Sequence, residues 1–172
     1  AAQNGPAEID QGHHWTTARK HDFYVGDQGS RIMPLKWMRA LETKDGDSFL
    51  HDGLERYGYL PYPGNGYDDV PLGFTVASYQ GWQSIGMTCS ACHTRDLYVK
   101  DQAYRIDGGP AFADIFSFFS DLNPASAAVL ESDAAFEAFA KRVYGDNEGT
   151  AEIAELKKAF EFWQIRYQTL MD

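Results

Sequence analysis

The chain has 172 residues, and 44% of them are hydrophobic, which is enough for one domain with its own core. Its 25 acidic residues outnumber its 15 basic residues, so the formal net charge is −10 and a nucleic-acid partner is not expected, because phosphate would be repelled. No apolar run approaches the roughly 20 residues of a membrane-spanning helix, so no membrane span is predicted.

Residues 1–20 are polar and contain Gly5, Pro6 and Gly12, which predicts a loosely held N-terminal arm. The first letters, AAQNGPAEID, contain neither a charged n-region nor an apolar h-region. Such a start is typical of an exported protein from which a signal peptide has been removed, so we expect export.

Two contrasting segments follow the arm. Residues 33–46, MPLKWMRALETKDG, place apolar side chains at helical spacing, which predicts a short helix that Gly46 can end. Residues 58–73, GYLPYPGNGYDDVPLG, are dense in glycine and proline and predict an irregular, aromatic-rich loop.

The motif GMTCSACHTRD, residues 86–96, contains both cysteines of the protein, Cys89 and Cys92, with His93 directly after them. A thioredoxin-like dithiol does not require the histidine, and a structural zinc site needs further ligands at a suitable spacing. Covalent haem attachment uses every part of the motif, because the thiols bond to the porphyrin vinyl groups and the imidazole binds iron as the proximal ligand. We therefore predict one covalently bound haem c, with a free dithiol beside an exposed histidine as the alternative.

The sequence beyond the motif predicts a small β-hairpin and several helices. Residues 97–99 and 104–106 are short apolar runs around a polar turn, which is typical of a hairpin. Helices are predicted from Pro110 and over about residues 124–144. A last helix is predicted from an apolar stripe at spacings of three and four. The members of this stripe are Ile153, Leu156, Phe160, Trp163, Tyr167 and Leu170.

The sixth iron ligand is left open by the motif. The only methionine downstream of His93 is Met171, one residue from the end of the chain, and no histidine lies downstream. Met33 and Met38 are interpreted as core residues as readily as ligands. An open or exogenously filled site is a further alternative. The candidate protein ligands are His13, His14, His21, His51 and Met171.

Four residues are candidate contacts of the haem. Arg95 and Arg105 are suited to the haem propionates, since a guanidinium matches a carboxylate bidentately, with surface roles as the alternative. Phe112 and Phe116 are suited to a dry distal pocket, with ordinary core packing as the alternative.

These patterns together predict a mainly α fold. We expect a cytochrome c-like helical domain around one covalent haem, with a small β-hairpin and long Gly/Pro-rich loops. The haem is expected to supply much of the apolar centre. Residues 21–172 would form this single haem c domain after the arm. Because haem c is attached outside the cytoplasm, the predicted location is periplasmic or extracellular.

Several segments resemble a known family: FYVGDQGSRIMPLKW, YGYLP with PLGF, GMTCSACHT and RIDGGPAFAD. They are similar to the first haem domain of the di-haem cytochrome c peroxidase and MauG superfamily, nearest the rubber oxygenases and di-haem fatty-acid dioxygenases. The resemblance covers about residues 21–122 and carries over Cys89, Cys92 and His93. It implies a helical haem c core in which one haem activates dioxygen or peroxide and a second passes electrons. The family's second Cys-x-x-Cys-His is absent from this sequence.

Three functions are compatible with these features. The first is electron transfer by a monohaem c-type cytochrome to a redox protein partner or a second haem subunit. The alternative is an oxidoreductase that activates dioxygen or peroxide at an open distal site and oxidises lipid or polyisoprenoid. The second alternative is a haem-containing subunit of a larger redox assembly. A protein sixth ligand favours the first function, and an exchangeable one favours the alternative.

Overall fold

The computed structural model describes residues 5–145 and 149–171. The chain forms two compact units, of which the first comprises Ala1–Ile32 and Asp52–Asp114 and the second Met33–His51 and Ile115–Asp172. In chain order the described elements are β1 (Ala7–Glu8), α1 (Thr17–Val25), β2 (Met33–Pro34), α2 (Leu35–Ala40), β3 (Phe74–Tyr79), β4 (Trp82–Met87), α3 (Ser90–His93), β5 (Thr94–Val99), β6 (Gln102–Asp107), α4 (Ile115–Ala128), α5 (Asp133–Tyr144) and α6 (Thr150–Met171), with 3₁₀ turns at Glu55–Tyr57 and Pro63–Asn65.

Two antiparallel hairpins dominate the first unit. Strands β3 and β4 pair from Phe74 opposite Met87 to Tyr79 opposite Trp82. Strands β5 and β6 pair from Thr94 opposite Asp107 to the Val99 end, and β1 adds to β6 in parallel. The attachment motif lies between the two hairpins in sequence, so one hairpin leads into it and the other leads out.

The prediction of a mainly α, cytochrome c-like fold is wrong, because the described chain mixes α-helices with two β-hairpins. The hairpin predicted near residue 100 is present and is longer than expected. The β3–β4 hairpin was not predicted. Its two-residue turn, Gln80 at φ 49° and Gly81 at φ 82°, has the left-handed backbone that suits a tight hairpin. Gln-Gly is a weaker sequence signal for that turn than Asn-Gly, and neither strand has the period-2 burial that marks a half-buried strand.

The apolar centre also differs from the expectation, because the protein's own side chains fill it. In the second unit Phe118, Phe139 and Phe160 are completely buried, and the rings of Phe139 and Phe160 lie 4.8 Å apart between centroids. In the first unit Phe74 and Ile85 are likewise completely buried.

The predicted last helix is confirmed as α6, with the stripe residues Leu156, Phe160 and Tyr167 buried, but the stripe does not extend to Leu170, which is 83% exposed. The helix predicted over about residues 124–144 is instead two helices, since α4 continues through Pro124 and α5 begins after Ser132. The Ser132 side chain accepts a hydrogen bond from the main-chain N–H of Ala135, which caps α5.

The helix predicted from Pro110 begins only at Ile115, because tertiary hydrogen bonds hold the preceding residues. The main-chain N–H of Ala111 donates to Cys92, and that of Asp114 donates to Tyr57. These groups are therefore not available for a helical turn.

Part of the segment predicted as a loose arm is ordered by contacts with β6. Ala7 lies opposite Tyr104 in the parallel pairing, and Gln11 exchanges two hydrogen bonds with the main chain of Asp107. No helix in the described ranges is long and apolar enough to cross a membrane.

Candidate functional site

The candidate site is the single helical turn α3 and its flanking residues. Cys89, Cys92 and His93 are exposed, and both cysteines are free thiols. The residues between and around them are buried: Thr88, Ser90, Ala91 and Thr94. The turn thus packs through its small residues and presents two thiols and an imidazole to solvent.

Hydroxyl groups attach this turn to the end of α1. The Thr88 Oγ1 donates to the main-chain oxygen of Phe23 at 3.2 Å, and the Ser90 Oγ donates to that of Tyr24 at 3.4 Å. Because Thr88 and Ser90 flank Cys89 and are 5% and 0% exposed, the bonds hold the main chain at Cys89 in place without using the thiol.

Gly73 allows the turn to approach β3. The main-chain N–H of Thr88 donates to the Gly73 oxygen at 2.8 Å. Gly73 has φ +84°, and a Cβ at this position would overlap the main chain of Ala91. Only glycine meets both requirements without strain.

The segment after β6 hydrogen-bonds the last carbonyl groups of the α3 turn. The His93 oxygen accepts a hydrogen bond from the Gly108 N–H at 2.7 Å, and the Cys92 oxygen accepts one from Ala111 at 2.8 Å. A helix of one turn cannot satisfy its own last carbonyls, so these donors replace the next turn.

Asp107 is the polar centre beneath the site and is 7% exposed. Its carboxylate accepts hydrogen bonds from Trp15 Nε1 at 2.8 Å, from the Tyr24 hydroxyl at 2.7 Å and from Thr94 Oγ1 at 3.4 Å. Burial, followed by the Asp107 hydrogen bond, raises the pKa of Tyr24 well above its ordinary value, so its phenol is neutral. The network joins the N-terminal segment, α1 and the first residue of β5.

Two further residues lie close to the thiols. The amide oxygen of Gln28 accepts hydrogen bonds from the Cys89 N–H at 3.1 Å and from the Cys89 thiol at 3.2 Å. Burial, and next the electrostatic effect of the nearby Cys92, raises the pKa of Tyr59 above its ordinary value. Tyr59 is therefore a neutral side chain in the electrostatic range of Cys92.

The structure brings together two of the four candidate haem contacts. The Arg95 guanidinium lies 5.3 Å from the Phe112 ring centroid, and Phe112 is 71% exposed beside Ala111, which contacts Cys92. Arg105 is instead paired with Asp96 through two hydrogen bonds of 2.8 Å. Phe116 belongs to the second unit and is 83% exposed, so it is not a core residue.

The described candidate sixth ligands are all exposed histidines. The His13 and His14 rings lie 3.8 Å apart, His21 Nδ1 is 3.1 Å from the Tyr62 hydroxyl, and His51 Nδ1 is 2.8 Å from the Ser48 oxygen. Met33 and Met38 are buried as core residues. The side chain of Met171 lies outside the described residues.

The donor set at α3 fits covalent haem attachment better than a zinc site. Haem c needs two accessible thiols and one imidazole, and the exposed side chains of α3 supply these. Among the described residues there is no group of three or more His, Cys, Asp or Glu side chains arranged to hold a metal ion.

Sequence reasoning missed the residues that hold the turn. Thr88, Ser90 and Asp107 were not among the predicted site residues. A small polar residue on each side of Cys89 was the available signal, whereas Gln28, which accepts hydrogen bonds from Cys89, is 61 positions away.

Comparisons with known proteins place few limits on the chain. No family model matches it, and no solved structure matches it. A curated relative from Sinorhizobium fredii, described as "Uncharacterized protein y4iJ", is 29% identical over 171 residues. The match covers 86% of this chain. The chain spans 28% of the length of that relative.

Proposed function

We propose that this protein is a c-type haem protein that transfers electrons outside the cytoplasm. Cys89 and Cys92 would hold one haem covalently, and His93 would bind its iron. The observation that carries the proposal is the exposure pattern of α3, in which only the two thiols and the imidazole face solvent while their neighbours are buried.

When bound, the haem would supply a one-electron redox centre. The protein's own residues position it. The Thr88 and Ser90 hydroxyls anchor the turn to α1, and the Gly108 and Ala111 N–H groups hold its last carbonyls. A rigid turn keeps the imidazole at a constant position relative to the two thiols, which limits the rearrangement that accompanies a change of charge.

Two side chains near the turn suit the edge of a haem. Arg95 carries a cation for a propionate, and the exposed Phe112 ring offers apolar contact. Arg105 is less suited to this role, because two of its donors already bind Asp96.

The proposal is tested by producing the chain with a haem c maturation system and extracting it with acid–acetone. Colour should stay with the polypeptide, and the mass should exceed the sequence mass by one haem. Cys89→Ala with Cys92→Ala should abolish this colour, whereas Ser78→Ala, an exposed position on β3, should leave it unchanged. Haem that extracts freely from wild type would contradict the proposal.

His93→Ala separates ligation from attachment. This variant should keep the covalent haem, because the thioethers do not depend on the imidazole. It should lose the native absorption spectrum, because the iron loses its proximal ligand. The identity of the sixth iron ligand is tested by replacing each candidate histidine with alanine, at His13, His14, His21 and His51. A ferric spectrum that is insensitive to added imidazole indicates a protein ligand; a high-spin spectrum that responds to imidazole favours activation of dioxygen or peroxide.

A role as one haem-bearing part of a larger redox protein is the second candidate. It is favoured by the relative from Sinorhizobium fredii, in which the similar region is 28% of the chain. In that case the electron partner would be another haem of the same assembly. The rate of haem reduction, measured by stopped flow for this chain alone and together with the rest of the longer protein, would distinguish a self-sufficient electron carrier from a component of an assembly.

A further inference from the structure

The side chain of Gln28 contacts a reactive atom of the motif. Its amide oxygen lies 3.1 Å from the main-chain nitrogen of Cys89 and 3.2 Å from the Cys89 sulfur. The main-chain N–H can only donate, so it fixes the oxygen end of the amide toward the motif. The thiol faces the same acceptor and must also be a donor, so the S–H bond of Cys89 points at Gln28.

The main chain on both sides of Gln28 is held in place. The two oxygens of Asp27 accept hydrogen bonds from the two terminal nitrogens of Arg31, both at 2.7 Å. The Ser30 hydroxyl accepts a hydrogen bond from the N–H of Met87, the last residue of β4, at 3.0 Å. Gln28 is therefore fixed beside the end of β4, and little further entropy is lost when its amide meets the motif.

The two cysteines are close enough to form a disulfide with each other. The N–H of Cys92 donates to the Cys89 oxygen at 3.2 Å, so the four residues form one closed turn. A turn of this kind brings its first and last Cα atoms within about 7 Å, and disulfides span Cα separations of about 4.4–6.8 Å. Both thiols are free and exposed, so an oxidant can reach them.

Such a disulfide competes with haem attachment, and in this step the inference rests on the proposed function. A thioether forms when a thiol adds across a vinyl group: sulfur bonds to one carbon, the thiol hydrogen goes to the other, and no oxidant is consumed. A disulfide has no S–H bond to add. Compartments outside the cytoplasm are oxidising, so the pair has to stay reduced until the haem is attached.

We propose that Gln28 is a positioning residue that keeps Cys89 as a thiol and so disfavours the Cys89–Cys92 disulfide. Oxidation of the pair by glutathione disulfide removes two electrons and two protons and yields two glutathione thiols. The dithiol form keeps the hydrogen bond from the Cys89 thiol to Gln28, whereas the disulfide has no hydrogen to donate. The bond from the Cys89 N–H is available in both forms, so the difference between them comes from the thiol contact.

The equilibrium constant for disulfide formation is measured on the haem-free protein in glutathione buffers, with the oxidised fraction determined by thiol labelling and mass spectrometry. Gln28→Ala should raise this constant by about threefold, because only the dithiol form loses a hydrogen bond. Gln28→Glu keeps an acceptor oxygen and should stay at or below the wild-type value. Gln83→Ala, the same chemical change at an exposed position on β4, should leave the constant unchanged. Equal constants in wild type and Gln28→Ala would overturn the proposal.

An infrared measurement separates the thiol contact from a general loosening of the turn. In Cys92→Ala the only thiol of the chain is Cys89, so the S–H stretching band reports on that residue alone. Adding Gln28→Ala should move the band to higher frequency, toward that of a thiol in water, because the hydrogen bond to the amide weakens the S–H bond. A band that does not move would show that the thiol does not donate to Gln28 and would contradict the proposal.

The yield of covalent haem tests the consequence for the proposed function. When maturation takes place in the presence of glutathione disulfide, Gln28→Ala should give less covalent haem than wild type, and dithiothreitol should restore the yield. A loss that dithiothreitol does not restore would show that Gln28 only supports the turn, which would overturn the proposal. If the glutathione and infrared results are as expected but wild type takes up no covalent haem, the proposed function fails while the effect of Gln28 on the thiols stands.

Discussion

At the scale of single residues, the main chain of Gly73 packs directly against Ala91 in the α3 turn. Gly73→Ala should lower the free energy of unfolding by about 3 kcal/mol or more, because it adds both left-handed backbone strain and an overlap with Ala91. Chemical denaturation measures the loss, and the yield of covalent haem should fall with it.

Gly66→Ala is the matched control for that change. Gly66 has nearly the same dihedral, φ +80°, but a Cβ there meets nothing within 4 Å. It should cost only about 1–2 kcal/mol, the backbone contribution alone. Equal losses in the two variants would show that the contact with Ala91 does not constrain the turn.

Tyr167 provides a pH-dependent prediction. Burial raises its pKa to about 12, and its hydroxyl donates to the Phe119 oxygen at 2.8 Å. A phenol whose pKa is raised on folding stabilises the protein fully below its unfolded value of about 10, and this contribution is lost as the pH rises through 12.

Tyr167→Phe should therefore reduce the slope of unfolding free energy against pH between about 10 and 12, by up to about 1.4 kcal/mol per pH unit. Tyr98→Phe, at a side chain that is 77% exposed, should leave the slope unchanged. The slope will not vanish in Tyr167→Phe, because the pKa values of Tyr24 and Tyr59 are also raised. An unchanged slope in Tyr167→Phe would contradict the assignment.

At the scale of secondary structure, α6 carries one buried amide beside its apolar stripe. Gln164 is 4% exposed, and among the described residues neither its amide oxygen nor its nitrogen has a hydrogen-bond partner. Gln164→Met keeps the length of the side chain and removes the polar group. It should raise the free energy of unfolding by about 1–2 kcal/mol.

Gln168→Met makes the same chemical change on the exposed face of α6. It should change the stability by no more than about 0.5 kcal/mol. A loss of stability in Gln164→Met would indicate that the amide has a partner in solution, such as an ordered water.

The two hairpins have a joint role at this scale. Strand β4 ends directly before Thr88, and β5 begins at Thr94, so regular pairing constrains both ends of the motif. If the motif were flanked by helices instead of strands, only side-chain packing between helices would constrain its two ends. The mixed fold therefore gives the short α3 turn a rigid frame that its own few residues cannot supply.

At the scale of the whole molecule, each unit has a core of its own side chains. Cys89→Ala with Cys92→Ala should consequently retain near-native far-UV circular dichroism and a cooperative unfolding transition. Phe160→Ala is the contrasting variant, because removing a completely buried ring should cost about 3–5 kcal/mol. Loss of the cooperative transition in the double cysteine variant would show that the haem is an indispensable part of the core.

The sequence by itself determined the elements whose signals are local, whereas the haem chemistry of Cys-x-x-Cys-His stays a prediction. Spacings of three and four identified α6, in which Leu156, Phe160 and Tyr167 are buried. This inference succeeds because the relevant groups lie within one or two helical turns of each other.

Only the tertiary structure decided how the motif is held. Tyr24 and Asp107 are 83 positions apart, and Gln11 and Asp107 are 96 positions apart, yet each pair is hydrogen-bonded. Hydrogen bonds and charges act over a few ångströms in space, so their partners are chosen by the folded path of the chain rather than by neighbouring letters.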